Sequence, residues 1–352
     1  MTIIWICSSK KEPPVIVTSK IPLFCLKKLG PRHVLVAGGG GESKTGVSNL
    51  IQVLLDEFVI LIYIDTDIYA TMNMDVVCCA DPEKGRYLIA AGHGQVSSIR
   101  ICLHSLQQNL FCRCILRFCS SDSSKCVRFD RSTSGKRVVT GGEDGRIRVW
   151  NTEALVEDRP ILDIEAHKSD VFDIDVTFDG RTIMYAHLIA TLCSFFARSI
   201  RCTPLGSDGN IVFVAAYNAA ALTSKKKSFL ALWAFSREKK ALRSIVVRSI
   251  GQGDGVSSLC VSPCGNYTGV GSMGGSVYIY DTHDMKEMIA FKETHGIFVT
   301  AVEFLDRYAA DIPGPGAVAR ASLISLSADQ TIQVSILQFR LSIKFLLCFS
   351  PL

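Results

Sequence analysis

"VLVAGGGGESKTGVSNLIQVLLDEFVILIYIDTD", from Val34 to Asp67, decides how the rest of the chain is read. An apolar run enters a glycine-rich loop containing Lys44-Thr45, and a second apolar run ends in carboxylates, which is the outline of a phosphate-binding loop. That motif requires G-x-x-x-x-G-K-[ST] followed by a helix whose free N–H groups hold phosphate. Here Ser43 stands where the glycine before the lysine belongs, and Gly46 would sit early in the helix at a cost of about 1 kcal/mol. The context fits a sheet better. From Leu50 to Ile64 no Gly, Pro or Asn separates the two apolar runs, whereas a βαβ crossover needs a helix and then a turn. Two strands joined at Asp56-Glu57 form a hairpin instead; a helix over Asn49 to Phe58 is the competing reading.

Outward from this stretch, one pattern recurs: apolar strand, turn, second apolar strand ending in small residues, tight turn, alternating strand. It is clearest in "CVRFDRSTSGKRVVTGGEDGRIRVWN" (Cys126 to Asn151), again in "SLCVSPCGNYTGVGSMGGSVYIYD" (Ser258 to Asp281), and in "VTAVEFLD" continued after an insertion by "ASLISLSADQTIQVSIL". The alternating pairs Ile147/Val149, Val277/Ile279 and Ile332/Val334 mark half-buried strands. Ile51, Val96, Ile147, Val277 and Ile332 are spaced by about 45, 51, 130 and 55 residues, and the long gap holds three units of roughly 43. "HKSDVFDIDVTFDGRTIMYA" opens one weak unit and "FLALWAF" is the late strand of another, so the count is seven.

Such units stack radially, which predicts an all-β fold: a seven-bladed WD40-type β-propeller over residues 21–337, after an N-terminal extension at 1–20 and before a short apolar tail at 338–352. The Asp144-Gly145 turn dipeptide, Trp150 closing its strand and His167 opening the next unit are read as structural. The weak place is "HLIATLCSFFARSIRCTPLGSDGN", which should hold the final strand of the fourth blade but lacks the turn dipeptide and terminal aromatic. Either the fourth blade is degenerate or the chain there differs from an intact ancestor.

Composition excludes several classes. With 352 residues, 48% of them hydrophobic, the chain can bury a large core, and a net charge of +5 is too mild to imply nucleic-acid binding. The 14 cysteines have neither zinc spacing nor the framework of a small secreted domain, so reduced thiols facing the cytosol are expected. "MTIIWICSSKK" lacks a basic n-region and does not read as a secretory signal. In "LQFRLSIKFLLCFSPL", Arg340 and Lys344 leave only Phe345 to Leu352 free of charge, well under the roughly 20 residues needed to span a bilayer.

The GGGG-x-x-K-T-G-x-x-N core from Gly38 to Asn49 resembles the first blade of the endoplasmic-reticulum guanine-nucleotide exchange factors for the Sar GTPase. The likeness continues through "ATMN" (Ala70 to Asn73), "TGGEDGRIRVWN", "EAHKSDVFDIDV", "GVGSMGGSVYIYD" and "THGIFVTAVEFL" (Thr294 to Leu305), covering about Pro22 to Ile336. The resemblance implies a cytosolic propeller that promotes GDP release from a Sar-type small GTPase and so starts COPII coat assembly at the endoplasmic reticulum. It implies a loop ordered by a potassium ion through backbone carbonyls between Gly38 and Asn49, and placed against the GTPase. The residues concerned are Gly38, Gly39, Gly40, Gly41, Lys44, Thr45, Gly46 and Asn49, with Asn49 as the side chain of first interest and Lys44 either a contact or a solvated loop lysine. The family also carries a C-terminal membrane anchor, which the tail written here does not complete. Two other classes stay open at this point: a WD40 interaction scaffold, for which the glycine loop is dispensable, and a nucleotide-binding enzyme acting through Lys44.

Overall fold

The computed structural model describes residues 15–29, 33–43, 46–55, 60–79, 86–93, 96–104, 110–119, 124–153, 159–187, 195–207, 209–220, 227–250, 254–305 and 319–338. Their strands pair antiparallel into sheets that follow one another along the chain, as an all-β propeller requires. Five sheets are each built from four consecutive strands: the first (residues 23–65), second (73–119), third (124–165), fifth (195–250) and sixth (256–291). The seventh takes three strands from the C-terminal side (Val299–Phe304, Ala321–Ser327 and Thr331–Leu337) and its fourth from Val15–Thr18, which pairs with Thr331 to Gln333. The fourth has two strands among the described residues, Val171–Val176 and Ile183–His187.

Seven blades were expected from the repeat spacing, with the fourth as the weak one; among the described residues five sheets are complete in consecutive strands, and the strands assigned to the fourth need correcting. Phe195–Thr203, expected within the fourth unit, is the first strand of the fifth sheet, pairing with Asn210–Ala219. Only residues 188–194 lie between it and the fourth sheet, too few to run out and back as two strands. The extension expected at 1–20 is also partly inside the fold, because residues 15–18 close the seventh sheet. Residues 339–352 of the apolar tail lie outside the described residues. Among the described residues no helix is long and apolar enough to cross a membrane.

Each sheet buries apolar side chains against both neighbours. Cys25, Leu35 and Ile51 of the first sheet pack on Met74 and Ile89 of the second; Val127 and Phe129 of the third meet Val77 and Leu88 of the second; Val34 and Val36 of the first meet Ile324 and Val334 of the seventh. The shortened fourth sheet keeps both of its interfaces, with Val171 and Ile174 against Ile147 and Val149, and Ala186 against Ile200 and Phe213. What it loses is cover for the outer strands beside it. Leu162 and Ile164 pair across from Val149 and Ile147, and so share the sheet face that packs on the fourth sheet. Leu242 pairs across from Phe235 in the same way on the other side, and all three of Leu162, Ile164 and Leu242 are exposed.

Charged side chains on the innermost strands join sheets that apolar packing alone would leave free to slide. Lys27 Nζ lies 3.4 Å from Glu303 of the seventh sheet and 3.6 Å from Asp75 of the second. Asp75 is fully buried, accepts the Phe129 N–H at 2.8 Å and sits 3.1 Å from Arg131. Arg128 reaches Asp173 of the fourth sheet at 3.0 Å, and Asp173 accepts from Ser199, Arg201 and the Ile200 N–H of the fifth. Burial alone would raise the Asp75 carboxyl, but Arg131, Lys27, Arg128 and the Phe129 N–H together hold it down at about 2.

Two tests follow from this packing. A carboxyl whose pKa is lower folded than unfolded contributes stability that is present above its unfolded value of 3.8 and is lost as pH falls through about 2. Denaturant titrations of Asp75→Asn should therefore show a flatter stability profile between those pH values than wild type, and a loss of about 1–3 kcal/mol at neutral pH because Arg131 and Lys27, both reached by solvent, lose a charged partner. Leu242→Lys, facing the gap, should change stability by no more than about 0.5 kcal/mol in the same measurement.

Candidate functional site

The glycine loop joins the second strand of the first sheet, His33–Gly38, to the third, Leu50–Leu55. Leu50–Leu55 then pairs antiparallel with Ile60–Asp65, so a strand stands where a phosphate-binding loop needs a helix. This overturns the nucleotide-enzyme reading of the stretch. Lys44 and Thr45 themselves lie outside the described residues.

The expected glycines divide by function. Gly38 and Gly39 are packed: a Cβ on Gly38 would fall 1.9 Å from the Pro22 carbonyl oxygen, and one on Gly39 would fall 2.3 Å from Asn49 Oδ1. The Gly39 N–H donates to that Pro22 carbonyl at 3.0 Å. Gly41 instead has open space around it but a left-handed φ of 69°, and Gly46 repeats this with 78°. Gly40 accepts a hydrogen bond from the Ser43 hydroxyl through its carbonyl. The first two glycines fix the foot of the loop, and the others shape its tip.

Asn49 is the clamp between them. Its side chain is buried; Oδ1 accepts the Gly41 N–H at 2.8 Å, while Nδ2 donates to the Gly41 carbonyl at 3.3 Å and to the Asp67 carbonyl at 3.0 Å. Its own carbonyl accepts the Thr66 N–H at 3.0 Å. With both amide hydrogens donated and the oxygen accepting the Gly41 N–H, the side chain holds the loop onto the connection between the first and second sheets. That connection is itself pinned: the Asp67 N–H donates to Asp65 Oδ1 at 2.8 Å, and the Thr66 hydroxyl donates to the Tyr69 carbonyl at 3.0 Å. Sequence reading picked out Asn49 but not this floor; the signal was the Asp65-Thr66-Asp67 run, whose short oxygens favour self-bonded turns. Val47 packs into the core shared by the first and seventh sheets, while Glu42, Ser43, Gly46 and Ser48 are exposed.

Chemistry at this site is that of a shaped backbone. No group of three or more His, Cys, Asp or Glu is placed to hold a metal ion among the described residues. The residues read as structural are so placed: Trp150 Nε1 donates to the Thr140 hydroxyl at 2.9 Å, the His167 N–H donates to the Gly145 carbonyl at 3.0 Å, and Asp144 accepts the Arg146 N–H at 3.0 Å. Among the described residues the buried cysteines are free thiols, and burial pushes Cys25 and Cys126 up to about 12, which removes them as nucleophiles.

Comparison with known proteins agrees with this picture. The "WD domain, G-beta repeat" family matches residues 91–151 and 244–281. Two curated relatives, each named guanine nucleotide-exchange factor SEC12, are the mouse protein, 24% identical over 389 aligned positions, and the rat protein, 25% identical over 387; each alignment covers 92% of this chain and 90% of the relative. Among solved structures, Sqt1 from Chaetomium thermophilum bound to the N-terminus of ribosomal protein L10 superposes with a TM-score of 0.61 at 14% identity, covering 89% of this chain and 85% of that one. Sqt1 alone gives the same TM-score, with 82% of its chain covered.

Asn49→Ala should release the tip from its floor, leaving the Gly41 N–H without its partner at a cost of about 1–3 kcal/mol. Hydrogen exchange at Gly41 should accelerate while the Gly39 amide, bonded to Pro22, stays protected; equal acceleration at both would show that Asn49 is not the clamp.

Proposed function

We propose that this chain, a WD40-repeat protein related over nine-tenths of its length to the SEC12 exchange factors, is itself a guanine-nucleotide exchange factor for a small GTPase. The single observation that carries the reading is the glycine loop: an exposed tip on a foot that Asn49, Pro22 and Asp67 hold rigid. An exchange factor makes and breaks no covalent bond. It binds the nucleotide-free GTPase better than the GDP-bound form, and that difference in affinity is what accelerates release. A loop already ordered before contact loses less freedom on binding and so keeps more of its contact energy for that discrimination.

In the finer reading, the partner is a Sar-type GTPase, the event is the start of COPII assembly on the cytosolic face of the endoplasmic reticulum, and the sheets close as a seven-bladed ring whose fourth blade is reduced. Support for the ring comes from the contacts between successive first strands, which run from the first sheet through to the seventh and back. Gly40, Gly41, Gly46 and the exposed residues between them form the contacting tip, with Lys44 as its candidate side chain.

Potassium belongs to the same proposal, and the donors present fit it. The Gly40 and Gly41 carbonyls each accept one hydrogen bond, leaving a second lone pair, and uncharged carbonyls suit a monovalent cation that gives up its hydration shell. Those two carbonyls would hold the ion, whose charge would fix the tip; Asn49 Oδ1, which accepts the Gly41 N–H, keeps a second lone pair by the same count and would be a third candidate donor.

GDP release from a purified Sar-type GTPase, followed by its tryptophan fluorescence, tests the reading. Acceleration is expected in potassium buffer, with about a tenfold fall in sodium and in the Gly41→Ala/Gly46→Ala double variant, which strains the tip without touching the packed foot. A folded, monodisperse sample that leaves the release rate unchanged in both buffers would sink the proposal.

A further inference from the structure

Strands that alternate up and down put two kinds of connection at the same end of a propeller. These are the links between second and third strands of a sheet, and the links from the fourth strand of one sheet to the first of the next. The glycine loop is of the first kind. At its end lie residues 66–72, between the first and second sheets, and residues 292–298, between the sixth and seventh. These two connections fall within the segments "ATMN" and "THGIFVTAVEFL" or beside them, and the loop uses neither of those segments. They carry large apolar side chains in water: Ile68 is 62% exposed, Met72 55%, Ile297 43% and Phe298 44%.

Hydrogen bonds tie the first connection, and the strand that follows the second, to the foot of the loop. On one side Asn49 Nδ2 donates to the carbonyl of Asp67, the residue before Ile68. On the other, the Thr300 hydroxyl donates to the Leu23 carbonyl at 2.8 Å, next to the Pro22 carbonyl that accepts the Gly39 N–H. Phe298 is fixed two residues earlier by its carbonyl, which accepts the Ser327 hydroxyl at 2.8 Å, and Gly296 donates its N–H to Asp329 at 2.8 Å. The apolar side chains are thus exposed on a braced backbone. The glycine loop, at residues 39–49, is longer than the equivalent links at 143–145 and 273–276.

We propose that Ile68 and Met72 on one side, and Ile297 and Phe298 on the other, are two apolar shoulders that dock the small GTPase while the glycine tip enters its nucleotide cleft. The assignment rests on the exchange function proposed above. A flat partner, such as a second copy of this chain, would be held off by the tip; a partner with a cleft that admits the tip can close on both shoulders, and apolar rims on that cleft would meet apolar side chains here.

The experiment uses the full chain with Ile68→Asp and Phe298→Asp combined, and with Phe178→Asp as a control at the opposite end, where Phe178 is 56% exposed. GDP release and titration of the nucleotide-free GTPase are measured in potassium buffer. The shoulder variant should lose about tenfold or more in both, with an unchanged melting temperature, and the control should stay within about twofold. If the double aspartate variant melts lower than wild type, Ile68→Thr with Phe298→Ser is judged by the same criterion. A shoulder variant that matches an active wild type overturns the docking surface and leaves the exchange function standing. A wild type that neither accelerates release nor binds overturns both.

Discussion

Two buried carboxylates, Asp75 and Asp173, fix how the inner strands of this propeller sit against one another. Apolar packing between neighbouring sheets is strong but non-directional, and each sheet face offers a similar set of branched side chains to the next. A carboxylate that must be met by a guanidinium and by a specific backbone N–H admits one alignment. Asp75 couples the second sheet to the third through Phe129 and Arg131, and to the first through Lys27, which continues to Glu303 of the seventh. Asp173 does the same for the third, fourth and fifth through Arg128, Ile200 and Arg201. Such networks contribute less net stability than their Coulomb energy suggests, because each ion has left water; what they specify here is register.

That network also explains how the fold accommodates a fourth sheet of two strands. The strands retained are the inner ones, which carry Asp173 and Asp175 and pack against both neighbours; Asp175 accepts the Cys202 N–H of the fifth sheet at 2.7 Å. The outer strands of a blade contribute mainly to one another and to the flanks of adjacent blades. Beside the two-stranded sheet, Leu162, Ile164 and Leu242 of the neighbouring outer strands are exposed among the described residues, while the contacts between inner strands are kept. Alignment with the mouse relative extends to 389 positions against 352 residues here, so that relative has residues with no counterpart in this chain.

Much of the architecture was legible in the sequence because its cause is local. Alternation in Arg146–Asn151 and Val277–Asp281, and the absence of a turn before Ile60–Asp65 long enough for a crossover, are properties of adjacent residues, and both led to strands. Illegible features depend on distant partners. Nothing within Val15–Thr18 announces a mate at Thr331, and the charges at Asp75 and Asp173 look like solvated surface until the neighbouring strands bring arginine to them. Phe195–Thr203 was assigned to the wrong unit because a repeat count assumes complete repeats. At the candidate site the sequence marked the loop and the asparagine that clamps it, but treated four glycines alike; the approach of Pro22 and Asn49 separates packed Gly38 and Gly39 from Gly41, which has open space around it.

The division between a fixed foot and an open tip bears on how a loop of this kind could drive nucleotide release. A loop loose along its whole length would have to be ordered on contact, and that loss of freedom would fall on the nucleotide-free complex, the state an exchange factor must favour. A loop rigid throughout could match only one shape of its partner and would not follow the GTPase as its nucleotide site opens. Here the ordering is done largely during folding, by the Pro22 carbonyl and the side-chain amide of Asn49, while left-handed glycines leave the tip short of side chains and able to approach a backbone closely. Since a ligand shifts an equilibrium only by its difference in affinity for the two states, the useful contacts are those the tip makes after GDP has left. The foot contributes by keeping those contacts from being offset by the loop's own disorder.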